Sequence, residues 1–242
     1  AKEWANAVVL NSGVTKNVGD EVTEEDVALW YVWLPRYKYK KFSNTPKEQE
    51  ISVTFENGTS TTGTGENVTH PAFTFGNTEL TGFWVGKFEI STTDSACNSS
   101  ASRVNCNKVL TMSIKPNVSS WRYATISNHF TSIQKATGTY GINNADSHMM
   151  KNMEWGAVAY LKQSKYGLGT TDIAVNTNSN FYTGGGQSDA YKTNVAQSTT
   201  GNIYGVYDMS GGAVEMVMGN YNDTIINAGF SSMPAAKYYD KY

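Results

Sequence analysis

The 242 residues are 39% hydrophobic and 12% aromatic, enough for a sizeable core in one large domain or two small ones. Only 17% are charged and the net charge is -2, which leaves no electrostatic footprint for nucleic acid or an anionic membrane surface. The polar half is dominated by Asn, Ser, Thr and Gly, a composition common on exported proteins and adaptable binding surfaces because such groups hydrogen-bond without strong fields.

In chain order, turn signals fall at Ser12-Gly13 and Val18-Gly19-Asp20, and Thr23 followed by acidic residues predicts a short helical turn. The apolar run "VALWYVWLP" is interrupted by Pro35 and is far shorter than the roughly 20 residues that span a bilayer, so it predicts a strand and no membrane segment. No stretch reads as a signal peptide; the chain begins with Ala1, and the expectation is that its N-terminus has been trimmed. Arg36 to Phe42 alternates basic and aromatic residues. A nucleic-acid ladder and a half-buried strand with solvated lysines both fit the pattern, and the net charge favours the strand.

Residues 43–80 read as loops and a hairpin, with Ile51, Val53 and Phe55 alternating up to the turn pair Asn57-Gly58. "TGFWVGKFEIS" predicts a central strand ending at Ile90, in which Gly82 and Gly86 permit close backbone approach. The two cysteines, Cys97 and Cys106, lie in one polar, exposed-looking stretch. They are either unrelated thiols or a disulfide worth about 2–3 kcal/mol, and the latter is favoured and points to an oxidising, extracellular location.

A first helix is expected from an N-cap at Ser119 or Ser120, with Tyr123, Ile126, Phe130 and Ile133 on its apolar face and Gly138 at its end. A second is capped by Asn152, with Glu154 in its first turn, a buried stripe of Trp155, Val158 and Leu161, and Lys162 and Lys165 before Gly167. Residues 168–201 are nearly all Gly, Asn, Ser and Thr, a long loop expected to bind something or to pack on itself. Five Asn-x-Ser/Thr sequons, at Asn57, Asn67, Asn98, Asn117 and Asn222, are read as a consequence of composition.

"YGVYDMSGGAVE", from Tyr204, resembles the "YGLYDMxGNxWEW" signature of the formylglycine-generating-enzyme family, the sulfatase-modifying branch of the C-type-lectin fold. "FWVGKFEIS" is similar to that family's early strand, "SWRYATISNHF" with "TGTYG" to its first helix, and "HMMKNMEWGAVAYLKQ" to its second, so the resemblance runs from Phe83 to about Tyr221. It implies an α+β, C-type-lectin-like fold with two helices on irregular antiparallel sheets. Residues 81–242 would form that domain and residues 1–80 would lead into it, either apart or as one continuous domain. The family's late "RGGS" and "GFR" strands have no counterpart before Tyr242, so the resemblance implies that the C-terminal part has been removed or lies in another chain, or that the fold is finished differently.

The family's oxidase chemistry uses a late cysteine pair with copper, and no cysteine follows Cys106; His70, His129 and His148 lack the spacing that the related iron-dependent branch requires. Both redox chemistries are therefore set aside. The family's calcium loop maps onto Asp208, Gly211, Ala213 and Glu215, whose carboxylates and carbonyls would suit a hard cation; the alternative is that Asp208 caps the turn and Glu215 pairs with a base. Gly212 departs from the family's Asn. Asn180-Phe181 with Asp189 and Tyr191 resembles a second calcium loop and reads as loop alone.

In C-type-lectin domains the region after the signature leads to the ligand-facing surface, which places Tyr221, Asn222, Tyr238 and Tyr239 in a candidate binding patch. The implied function is a non-catalytic, surface-displayed module for a protein or glycan ligand. It is similar to pilin-like adhesins and to the retroelement-diversified variable proteins of bacteria and phage, on a cell surface or phage particle. The alternatives are a pilus or fibre subunit that packs on its own copies and, against the missing cysteines, an oxidase.

Overall fold

Strands form where β-branched and aromatic residues cluster, and in the computed structural model, which describes residues 2–40, 47–60, 65–98 and 105–242, the longest of them organises the fold. β1 (Asn6–Leu10) and β2 (Val27–Pro35) pair antiparallel, and β2 enters directly after the short helical turn expected behind Thr23, whose N–H donates to Asp26 at 2.8 Å. A second sheet has β3 (Tyr37–Lys40) at its centre, flanked by β4 (Val53–Phe55) and β5 (Asn67–Thr69). β6 (Thr74–Phe75) and β7 (Thr78–Glu79) form a small hairpin, and β8 (Gly82–Gly86) returns to β2. β9 (Ser91–Thr92) pairs with β10 (Met112–Ser113). Three helices follow, α1 (Ile126–Thr139), α2 (Asn152–Lys162) and the single turn α3 (Ala190–Thr193), and the last strands, β11 (Gly219–Asn220) and β12 (Asp240–Lys241), run parallel. The protein is thus mixed α and β, with few helices and small, mostly antiparallel sheets.

Several expectations change at this level. β8 is an edge strand that stops at Gly86, and β2 is the central one, in the order β1-β2-β8. The close approach at Gly82 is present: a Cβ there would lie 2.4 Å from the Trp33 ring and 2.5 Å from the Leu34 carbonyl oxygen. Asn57-Gly58 does turn, with Gly58 at φ +70°, yet β4 and β5 each pair with β3 and not with one another. The basic-aromatic alternation is a strand from Tyr37 to Lys40, while Lys41 and Phe42 lie outside the described residues. Its Tyr37 is buried and donates to the Ala157 carbonyl of α2 at 2.7 Å, which ties the sheet to the helix.

α1 begins after Thr125 rather than at Ser119 or Ser120, which are buried in the preceding loop, and Tyr123 stands exposed at φ +63° instead of on the apolar face. The helix buries Phe130, Ile133 and Ala136 and runs one residue past Gly138. In α2 the cap is Lys151, whose N–H donates to the Glu154 carboxylate at 2.8 Å. The buried stripe is Ala157, Val158 and Leu161, with Trp155 turned aside and half-buried. Lys162 is buried rather than solvated, and donates to Gln163 at 3.0 Å.

Two apolar clusters meet at β2. Val32 and Leu34 pack with Tyr37, Phe73, Val85, Val158 and Leu161, and Ala28 and Leu29 pack with Phe88, Ile114, Phe130, Tyr191 and Tyr207. Residues on both sides of position 80 share these clusters. Arg36, fully buried between β2 and β3, pairs with Glu56 at 3.1 Å and Glu79 at 2.7 Å and donates to the Leu80 carbonyl at 3.2 Å.

Residues 168–201 fold through short helical turns and pack against the rest of the molecule: Tyr191 enters the cluster of Leu29 and Phe88, and the Thr183 hydroxyl donates to the Lys115 carbonyl at 2.6 Å. Cys97 and Cys106 form the disulfide, and both are buried against Trp121, whose indole N–H donates to the Cys106 carbonyl at 3.2 Å; the exposed placement expected for them is not found. Among the described residues no helix is long and apolar enough to cross a membrane.

Candidate functional site

The signature stretch folds inward. Tyr207 is buried against Phe88, ring centroids 5.5 Å apart, and its hydroxyl donates to the Tyr191 carbonyl at 2.6 Å. Asp208 follows in the left-handed region at φ +63°, which carries its carboxylate beneath the 176–184 loop. There it accepts hydrogen bonds from the Asn176 amide at 3.0 Å and the Gly184 N–H at 2.9 Å. Gly211 lies against that same loop: a Cβ would stand 2.4 Å from the Asn176 carbonyl oxygen. Gly212 leaves room for Glu89, whose carboxylate oxygen would be 2.6 Å from an added Cβ.

Glu89 is the residue around which the expected site assembles, and the sequence reading passed over it inside a strand pattern. Its carboxyl group accepts from the Ala213 N–H at 3.0 Å and from the Ser120 hydroxyl. Burial, reinforced by the neighbouring Asp208 and then Glu215, raises it to about 9, against the opposing hydrogen bond from Ser120, so Glu89 carries a proton at neutral pH. Burial also raises Asp208. Glu215 accepts from the Trp155 indole at 2.7 Å and is raised as well, first by desolvation; because the residue is exposed, solvent screens this effect more than for its two neighbours.

The structure therefore brings Asp208, Gly211, Ala213 and Glu215 into one neighbourhood, but their donors differ from those of a cation loop. Ala213 presents an N–H, the oxygens of Asp208 are engaged by N–H groups, and Glu215 is held by Trp155. Among the described residues no group of three or more His, Cys, Asp or Glu side chains is arranged to hold a metal ion. Asp189 and Tyr191 are fasteners: Asp189 accepts from Asn117 at 3.3 Å, and the Tyr191 hydroxyl donates to Glu24 at 2.6 Å.

The histidines sit in three separate surroundings. His70 lies among Tyr37, Tyr39, Phe73 and Tyr160, and burial lowers it to about 4. Burial does the same to His129, which lies edge-on to Trp121 at 4.4 Å. Burial acts against charge on His148, but its pair with Glu154 at 3.1 Å and its contact with Asp146 together raise it above its ordinary value.

The C-terminal patch is divided by the fold. Tyr221 is 72% exposed, Asn222 is exposed at φ +62°, and the hydroxyl of Tyr239 donates to Asp223 at 3.3 Å beside them. Tyr238 turns inward instead, edge-on to Phe130 at 5.5 Å, and its hydroxyl donates to Asp146 at 3.1 Å. Ile226, also 72% exposed, projects from the segment between β11 and β12. Next to Tyr238 opens a cleft of about 770 Å³ lined by Phe75, Thr78, Asp146, Lys151 and Lys237. Three segments distant in sequence build it, so no local motif could have announced it. Comparison of the chain with protein-family models, with curated proteins and with solved structures returned no match.

Proposed function

We propose that this chain is a non-catalytic ligand- or receptor-binding module displayed extracellularly or on a phage particle, on a C-type-lectin-like scaffold of the formylglycine-generating-enzyme branch. Its contact surface is the segment from Tyr221 to Tyr239. The observation that carries this reading is a loop clamped at its base with large apolar side chains projecting from it. The parallel pair Gly219–Asn220 with Asp240–Lys241 closes the base, and Tyr238 anchors it in the α1 cluster. Tyr221 and Ile226 remain exposed on it. A rigid frame presenting apolar and amide groups is the physical arrangement of a recognition loop. The interior supports the same reading: the carboxyl groups of Glu89, Asp208 and Glu215 all bond to groups of the frame.

The test is binding of the purified chain to a glycan array and to intact cells, beside a Tyr221→Ala/Ile226→Ala double variant. Saturable binding by the first and loss in the second, with unchanged circular dichroism, is the expected outcome; equal binding by both would refute the assignment of the surface. A second reading, a pilus or fibre subunit, is favoured by one feature. Edge strand β8 presents Trp84, 47% exposed and packed against Trp33 at 5.1 Å, next to unpaired backbone groups. Sedimentation that stays monomeric with rising concentration would count against it.

A further inference from the structure

We infer that the cleft between the Thr74–Thr78 turn, Asp146 and the Ala236–Tyr238 turn binds a carboxylate-bearing saccharide, its anion between Lys151 and Lys237 and its ring against Phe75. The inference rests on the reading of the C-terminal segment as ligand-facing, and it adds the chemical class of the ligand.

Lys151 carries the argument. It is 5% exposed, yet it lines the cleft. Among the described residues its ammonium donates no hydrogen bond; its ion-pair partners, Glu154 and Asp240, stand at 3.7 and 3.9 Å. Both of these are engaged elsewhere. Glu154 accepts from the Lys151 N–H at 2.8 Å and from His148 at 3.1 Å, and Asp240 accepts from the Met153 N–H at 2.6 Å. A largely buried cation with three donors, ion-paired at long range with Glu154 and Asp240, has no hydrogen-bond acceptor among the described residues, and an anionic oxygen entering the cleft supplies one.

A second ammonium, that of Lys237, lies 5.2 Å from the centre of the Phe75 ring, and that of Lys151 lies 5.5 Å from it. Lys237 is bound to Asp146 at 2.6 Å in a half-exposed pair that can exchange partners. The Phe75 ring is fixed by stacking on His148 at 4.6 Å and by Tyr238 at 5.8 Å, which makes it a platform for the apolar face of a sugar. Asn77, Thr78 and Asp146 supply amide, hydroxyl and carboxylate partners for sugar hydroxyls around it. The volume falls in the range of small-molecule sites.

The experiment is calorimetric titration of the whole chain with glucuronic acid, with its uncharged methyl ester and with inorganic sulfate. Saturable binding of the acid is expected, at least about tenfold weaker for the ester and for sulfate, as befits loss of one charge-assisted contact or of the ring. Lys237→Met, Lys151→Met and Phe75→Leu should each weaken the acid by a similar factor. Should Lys151→Met fail to fold, Lys237→Met on the exposed side decides alone. Equal binding of acid and ester, sulfate binding as tight as the acid, or no saturation by the acid overturns the inference. If the acid fails while cell or glycan binding through Tyr221 and Ile226 persists, only this inference falls. If that binding is absent too, the reading beneath it falls as well.

Discussion

A proton sits at the centre of the signature region. Glu89 is raised to about 9 by burial and by Asp208, so the folded state holds this proton over a range in which the unfolded chain has released it. Its folded value lies above its unfolded one, so the contribution of Glu89 to stability is present in full below about pH 4.5 and is lost progressively as pH rises toward 9. Glu89→Gln keeps the acceptor for the Ala213 N–H and removes the titration. The expected result is a flatter dependence of the urea midpoint on pH between these limits, and a variant more stable than the parent at the alkaline end. An unchanged slope would show that Glu89 does not titrate in that window. Gly211 makes a second residue-scale case. Any side chain there meets the Asn176 backbone and must hold φ +84°, so Gly211→Ala should lose about 2–4 kcal/mol in denaturant unfolding.

Among the elements, the disulfide loop and α2 show how local pattern and packing divide the work. Cys97 and Cys106 pack with Trp121 rather than facing water, so the bridge secures the link between β9 and β10 as well as restricting the unfolded chain. The Cys97→Ser/Cys106→Ser variant should lose about 2–4 kcal/mol by chemical denaturation. A loss below about 1 kcal/mol would mean the Trp121 cluster holds the link without it. The start of α1 was misplaced because Ser119 and Ser120 have good capping chemistry, but their hydroxyls serve the 180–181 backbone and Glu89, leaving Thr125 as the boundary. α2 was legible from its periodicity. Its cap was not, since Lys151 has no capping side chain and works through a backbone N–H to Glu154.

At the scale of the molecule, β2 belongs to both apolar clusters, with Val32 and Leu34 in one and Ala28 and Leu29 in the other. Neither cluster can lose β2 without exposing the other, so thermal unfolding should be one transition in which tryptophan fluorescence and far-ultraviolet circular dichroism coincide. Two resolved transitions would separate the clusters. Calcium belongs to this scale as well. With the carboxylates of Asp208 and Glu215 accepting from N–H groups and the Ala213 N–H donating to Glu89, the melting temperature should be the same in millimolar calcium and in chelator, and an upward shift with calcium would mean the loop opens to take the ion.

What the sequence by itself determined was whatever depends on near neighbours. The strand at "VALWYVWLP", the turns at Thr23 and Asn57-Gly58, the two helices and the cysteine pairing all follow from side-chain period, turn chemistry and composition. Tertiary structure alone decided which strand is central, because edge and centre differ only in whether a second partner arrives from far along the chain. It also decided that Glu89 holds a proton, that Arg36 is buried between two carboxylates, and that Phe75, Asp146, Lys151 and Lys237 share one cleft. Desolvation and charge proximity act through space, and residues far apart in sequence acquire them only when the chain closes around them.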